Sequence, residues 1–191
     1  MADLQDRSPL VHSDEPLTLR VIAGHDVTLA EQPRRQWVRL ECRETSTVQK
    51  AVTDIAGMDL PTLPGRALAS DRGTALWLAP GSWLLHLAKG RAAEMCEAFG
   101  TVLGDCPHLA LDQSHQFVTL SVAGAAAPML LSKSCALDLD PAIFKFGHCA
   151  RTLFGDIPLL IHRAGEDTAY DLVADQSLGR FLIWWFEEMM R

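Results

Sequence analysis

The run Leu76-Trp77-Leu78-Ala79-Pro80-Gly81-Ser82-Trp83-Leu84-Leu85 sets a Pro-Gly-Ser corner between two apolar arms. Aromatic and aliphatic residues on both sides of such a corner predict a hairpin, with strands at Thr74 to Ala79 and Trp83 to Ala88. Downstream, Arg91 to Leu103 carries Met95, Phe99 and Val102 or Leu103 at helical spacing, and Gly104 can stop that helix. Upstream, Gln36 to Cys42 alternates Trp37, Arg39 and Glu41 with Val38, Leu40 and Cys42, the period of a strand. A helix follows from a cap at Ser46 or Thr47, with Val48, Val52 and Ile55 on one face. Gly57 and the Pro61 to Gly65 segment interrupt the chain before the hairpin.

The second half runs through the same order. Phe117 to Val122 reads as a strand, Gly124 opens a short Ala-rich helix to Leu131, and a loop spans Ser132 to Gly147. Strands follow at Cys149 to Phe154, Pro158 to Arg163 and Thr168 to Val173, with a turn at Ala164-Gly165-Glu166-Asp167. A terminal helix runs from an Asp175 cap to about Met190, with Leu178, Leu182, Trp185 and Met189 on one face. The expected fold class is α+β: two pseudo-repeated strand-helix-hairpin-helix halves, about 34–105 and 110–191, with mostly antiparallel sheets sharing one core. Patterns of this kind also recur by chance in α+β chains. Residues 1–16 read as an extended N-terminal arm, and 17–191 as a single compact domain.

Lys and Arg number 17 against 24 Asp and Glu, a net charge of -7, which gives no general field for phosphates and argues against nucleic acid as a partner. The start is acidic and polar, unlike a secretory signal, and the longest dense apolar run, Phe181 to Phe186, is far short of a membrane span. Five scattered cysteines without a CxxC pair read as reduced thiols in a cytoplasmic protein.

No GxGxxG, GxxxxGK[ST], HExxH or GxSxG motif is present, so flavin or nicotinamide chemistry would have to happen on another chain, and no catalytic, cofactor-binding or metal residue is expected on this one. Cys135, His148, Cys149 and His162 form the best metal-like group. Adjacent His148 and Cys149 on a strand point to opposite faces, and small buried thiols beside a loop histidine are the simpler reading. A Cys–His nucleophile drawn from these residues needs a lowered thiol pKa and an orienting third group. Lys133 and Lys145, two of four lysines, flank the loop and suit either an anion or solvent. Trp184 and Trp185 are about 100° apart on a helix, so burial of Trp185 turns Trp184 outward. An outward tryptophan fits a partner surface, or packs on the edge of the chain's own sheet.

Asp112-Gln113-Ser114-His115, a strand, then Gly124-Ala125 opening a helix resembles the start of the folate-binding aminomethyltransferase family, the glycine-cleavage T-proteins. Pro158 to Arg163 followed by Tyr170 to Val173 is similar to that family's strand pair. A closer resemblance is to the gamma-subunit family of heterotetrameric sarcosine oxidase. It is carried by Arg7-Ser8-Pro9-Leu10, by the Leu78 to Leu85 hairpin, and by Ser132 to Pro141 with Phe144, Gly147 and Cys149 to Leu153. The resemblance implies a T-protein-like fold and a heterotetramer with alpha, beta and delta subunits. It further implies that FAD, FMN, NAD and zinc reside on those partners and none on this chain. The complex would oxidise sarcosine to glycine, reduce oxygen to hydrogen peroxide and pass the methyl carbon to tetrahydrofolate.

The chain departs from the T-protein pattern where an acidic residue serves folate chemistry. Pro158 and Leu159 stand there, and neither exchanges a proton. The expectation is a non-catalytic assembly subunit, with interface candidates Arg7, Leu10, Lys133, Phe144 and Trp184. The alternatives are a stand-alone folate-dependent transferase relying on Asp112, Asp138 or Asp156, and a free-standing folate-binding module.

Overall fold

The computed structural model describes Leu10 and residues 18–22, 26–88, 90–165 and 168–189. The chain begins β1 (Thr18–Ile22), β2 (Asp26–Glu31), β3 (Gln36–Cys42), α1 (Thr45–Ala56), β4 (Ala67–Ser70), β5 (Gly73–Ala79), β6 (Ser82–Leu87), α2 (Ala92–Leu103) and β7 (His108–Asp112). It continues β8 (Phe117–Ala123), α3 (Ala127–Ser132), β9 (Cys149–Phe154), β10 (Ile157–Gly165), β11 (Ala169–Asp175), a 3-10 turn (Gln176–Leu178) and α4 (Gly179–Met189). These elements fall into two compact units. One takes its described residues from Met1–Arg34, Gln116–Phe146 and Arg151–Arg191, the other from Arg35–His115 and Gly147–Ala150. The fold is mixed α and β, and its sheets are antiparallel.

The second of these units is built on a five-stranded sheet in the order β4-β5-β6-β3-β7. The β5–β6 hairpin turns through Pro80 and Gly81, with Ser82 already in the strand. Gly81 sits at φ 71°, and a Cβ there would lie 2.8 Å from the Cys42 carbonyl oxygen, so glycine alone fits this corner. The alternation in β3 holds: Val38, Leu40 and Cys42 face a core with Trp83, Leu85 and Leu87 of β6, Val48, Ala51 and Val52 of α1, and Phe99 and Leu103 of α2. Trp83 Nε1 donates to the Pro61 carbonyl at 3.0 Å, which removes the cost of burying the indole N–H.

Several local expectations need correction. The N-cap of α1 is Glu44, without a side-chain cap bond, because Ser46 and Thr47 already lie in the first helical turn. Met95 on α2 is half-buried and Val102 is exposed, so the buried stripe runs Ala92, Phe99 and Leu103. Strands β1, β2, β4 and β7 add to those expected. β7 is the outermost strand of its sheet among the described residues, and Leu109 and Leu111 on it are exposed, alternating with Ala110 against the core. The Asp112 to His115 motif closes β7: Asp112 Oδ1 accepts from Ser114 N at 2.9 Å and Ser114 Oγ at 2.6 Å, while Ser114 Oγ accepts from Trp37 N at 3.1 Å.

The first unit carries a six-stranded sheet in the order β1-β2-β8-β11-β10-β9. Leu120 and Val122 of β8 and Tyr170 and Leu172 of β11 are fully buried. Read from β4 and from β9, the two sheets begin with matching orders, β4-β5-β6-β3 and β9-β10-β11-β8. Asp175 caps as expected, accepting from Ser177 N at 2.9 Å and Ser177 Oγ at 2.6 Å, but what it caps is the 3-10 turn. Within α4 the fully buried residues are Leu182 and, four positions on, Phe186, while Trp185 is part-buried at the margin of that face. The N-terminal arm, Leu10 apart, lies outside the described residues, as do Glu166, Asp167 and Met190. No described helix is long and apolar enough to cross a membrane.

Candidate functional site

Helix α4 and the long loop before β9 together build the most developed surface of the first unit. Gly179 starts α4 without a side chain, and the space a Cβ would take is filled by a methyl of Leu10 at 2.5 Å and one of Val118 at 3.1 Å. Phe186 stacks on Phe154 with ring centroids 5.0 Å apart, fixing the buried side of the helix. Trp185 stands at the margin. Its Nε1 donates to Ser134 Oγ at 2.8 Å, and its ring covers Gly155, where a Cβ would meet Trp185 Cζ2 at 2.8 Å. Gly155 has φ 56°, so both its backbone and its packing require glycine.

Trp185 in turn orders two outward rings. Phe181 lies 5.7 Å from Trp185 and 5.4 Å from Trp184, and the two tryptophans sit edge to face at 6.4 Å. Trp184 is 49% exposed and Phe181 41%. Exposed aromatic rings offer large contact area at little entropic cost, and such residues are enriched at the centres of protein contacts. Lys133, also exposed, donates from Nζ to the Met189 carbonyl at 3.4 Å, placing positive charge at the helix C-terminus.

The loop from Ser132 to Phe146 is stitched down from below. Arg163 Nη1 donates to the carbonyls of Pro141 and Phe144, both at 2.9 Å, and Tyr170 Oη donates to the Leu139 carbonyl at 3.0 Å. Phe144 stacks on Tyr170 at 6.3 Å. Burial raises the Tyr170 phenol; nearby Arg163 opposes this and Asp140 adds to it, so the hydroxyl stays a donor. Asp140 orders the next turn by accepting from Ala142 N at 2.8 Å. The apolar residues left outside are Ile143 and Phe146, both exposed.

The site residues expected from sequence thus separate. Trp184 and Lys133 are at the surface, whereas Leu10 and Phe144 are each 7% exposed and packed into this chain; Arg7 lies outside the described residues. Sequence reasoning misses Phe181, Ile143 and Phe146, although the helical spacing of Phe181 and Trp184 carries a signal. Cys135, His148, Cys149 and His162 do not assemble: Cys149 donates to the carbonyls of Arg66 at 3.2 Å and Trp77 at 3.6 Å, and burial pushes its thiol up to about 11. No group of three or more His, Cys, Asp and Glu able to hold a metal occurs among the described residues. Asp112, Asp138 and Asp156 are exposed, the first two engaged as turn acceptors. A groove of about 510 Å³ between α1 and α2, lined by Lys50, Asp54 and Val102 among others, is open to solvent.

Residues 43–190 match the family described as Sarcosine oxidase, gamma subunit family. The sarcosine oxidase subunit gamma of Corynebacterium sp. (strain P-1) is 35% identical over 167 residues, 87% of this chain and 81% of that protein. The subunit gamma of Corynebacterium sp. (strain U-96) is 30% identical over 186 residues, 96% of this chain and 89% of that one. Among solved structures, a chain of the heterotetrameric sarcosine oxidase from Corynebacterium sp. U-96, in complex with pyrrole 2-carboxylate, superposes with a TM-score of 0.80 at 28% identity, covering 90% of this chain and 87% of that one. The glycine cleavage system aminomethyltransferase T from Bartonella henselae shares the fold, with a TM-score of 0.56 at 14% identity, over 82% of this chain and 44% of that one. The chain belongs to the sarcosine oxidase gamma subunit family.

Proposed function

We propose that this chain is a non-catalytic assembly subunit of a cytoplasmic sarcosine oxidase, holding the alpha, beta and delta subunits in register. FAD, FMN, NAD and zinc belong to those partners, and oxidation of sarcosine with transfer of its methyl carbon to tetrahydrofolate takes place there. The observation that carries the reading is the aromatic face of α4. Trp185 is tied to Ser134 and seated on Gly155, and it holds Trp184 and Phe181 outward as preformed anchors. The pinned loop extends that offer with Ile143 and Phe146. Membership in the gamma subunit family and likeness to a heterotetramer's chain support the same reading. The matching strand orders of the two units fit an ancient duplication of one strand-helix-hairpin-helix element.

Co-expression with the alpha, beta and delta chains followed by size-exclusion chromatography tests the proposal. The expected result is one peak containing all four chains, with the flavin absorbance in the same fractions. Elution of this chain by itself overturns it. Heat released on titrating tetrahydrofolate into the isolated chain, followed by turnover, would overturn its non-catalytic part.

A further inference from the structure

Cys42 and Cys106 are 64 positions apart in sequence, yet their sulfurs approach to 3.5 Å as free thiols, one donating a hydrogen bond to the other. The topology explains the meeting. Cys42 ends β3, its backbone partner on β7 is His108, and Cys106 lies two residues before His108 in the connection from α2. A disulfide requires an S–S distance of about 2.05 Å, so the sulfurs need close by only ~1.5 Å. The Cys106 backbone is held in place, its N–H donating to the Leu103 carbonyl at 2.9 Å and its own carbonyl lying 2.8 Å from His108 Nδ1, so the remaining closure falls to rotation of the two side chains. The two thiols also differ in access. Cys106 is only part-buried and Cys42 is buried.

We propose that Cys42 and Cys106 are an oxidation site, closing to an intrachain disulfide when the chain meets a hydroperoxide. Cys106, the reachable sulfur, attacks the distal peroxide oxygen. An S–O bond forms, the O–O bond breaks, and the alcohol departs, leaving a sulfenic acid. The Cys42 sulfur then attacks the Cys106 sulfur. The S–S bond forms, the S–O bond breaks, and hydroxide leaves as water with the Cys42 proton. Two thiols have lost two electrons and two protons, and the peroxide has been reduced to alcohol and water. The shared hydrogen bond to Cys42, with burial and Glu44 adding to it, pushes the Cys106 thiol up to about 11. The pair therefore reacts slowly and under sustained exposure, unlike an ionised catalytic thiol. The link joins the end of β3 to the α2–β7 connection and so fastens the outer strand of that sheet.

The test uses the full chain, treated with hydrogen peroxide or left untreated, then unfolded in urea and alkylated with N-ethylmaleimide, digested without reductant and analysed by mass spectrometry. The expected result is a Cys42–Cys106 cross-linked peptide, lighter by two hydrogens than its parts, that dithiothreitol abolishes and that Cys106→Ser lacks. Two of the five cysteines then escape alkylation while the other three do not. Alkylation of both Cys42 and Cys106 after treatment overturns the proposal. So does a sulfinic acid on Cys106 beside an alkylated Cys42. The wild-type chain suffices for these outcomes, whether or not a variant folds.

Discussion

Replacing Trp184 by alanine should weaken assembly while leaving the fold intact. The side chain is 49% exposed, and a tryptophan offers roughly 250 Å² in all, so about 120 Å² is available to a partner. At roughly 25 cal/mol per Å², full coverage of that area contributes about 3 kcal/mol. The dissociation constant should therefore rise about 100-fold. The folded chain loses ring contacts with Phe181 at 5.4 Å and Trp185 at 6.4 Å, worth roughly 0.5–1.5 kcal/mol each, so its stability should fall by about 1–3 kcal/mol while it still melts in one cooperative transition. Affinity measured by biolayer interferometry against the co-purified remaining subunits, alongside thermal melts of the free chain, separates the two effects. Trp185→Ala is the internal contrast, because it removes the bond to Ser134 and the packing over Gly155 and should lower the melting temperature further. An unchanged dissociation constant for Trp184→Ala, in a chain that still melts cooperatively, refutes the placement of the contact on α4.

Other consequences can be measured directly. Arg163→Met should cost about 3 kcal/mol in chemical denaturation, because it leaves the Pro141 and Phe144 carbonyls without their donor, and should speed proteolysis between residues 139 and 146. Gly155→Ala should destabilise by about 2 kcal/mol, since a Cβ meets the Trp185 ring and the backbone is left-handed; a neutral result in urea would contradict the packing. The Asp175 carboxyl is held below its ordinary value chiefly by the Ser177 hydroxyl, then by the Ser177 amide. Its contribution is therefore full above the unfolded carboxylate pKa of about 4 and is lost as pH falls through the lower native value, a loss that Asp175→Asn should flatten in acid titrations. Cys149, with its thiol at about 11, should resist iodoacetamide at pH 8 in the native chain and react fully in urea.

Much of the fold is legible in the sequence because period and punctuation agree. β3 and β9 span the residues that alternation marks, and the β5–β6 corner follows from Pro80 and Gly81. The elements that escape sequence reading have weak local signals. β4 is four residues, Ala-Leu-Ala-Ser, whose strand character comes only from pairing with β5. β7 reads His-Leu-Ala-Leu-Asp, with its leucines outward, the reverse of the usual apolar-inward rule. Helical period places both Trp185 and Phe186 on the side of α4 below Leu182, and it does not encode which of the two lies deeper; that is decided by the stacking of Phe186 on Phe154. Trp184 can be placed outward from spacing alone. The anchoring of the loop cannot, because Arg163 and Tyr170 are adjacent across β10 and β11 while their targets lie 19 to 31 residues away in sequence.

The bare leucines of β7 also bear on how the molecule must be made. An outermost strand showing Leu109 and Leu111 is a template on which another chain's backbone can add. A chain produced alone should therefore self-associate along this rim as its concentration rises, and Leu109→Lys, which sets a charge on that strand, should improve its solubility.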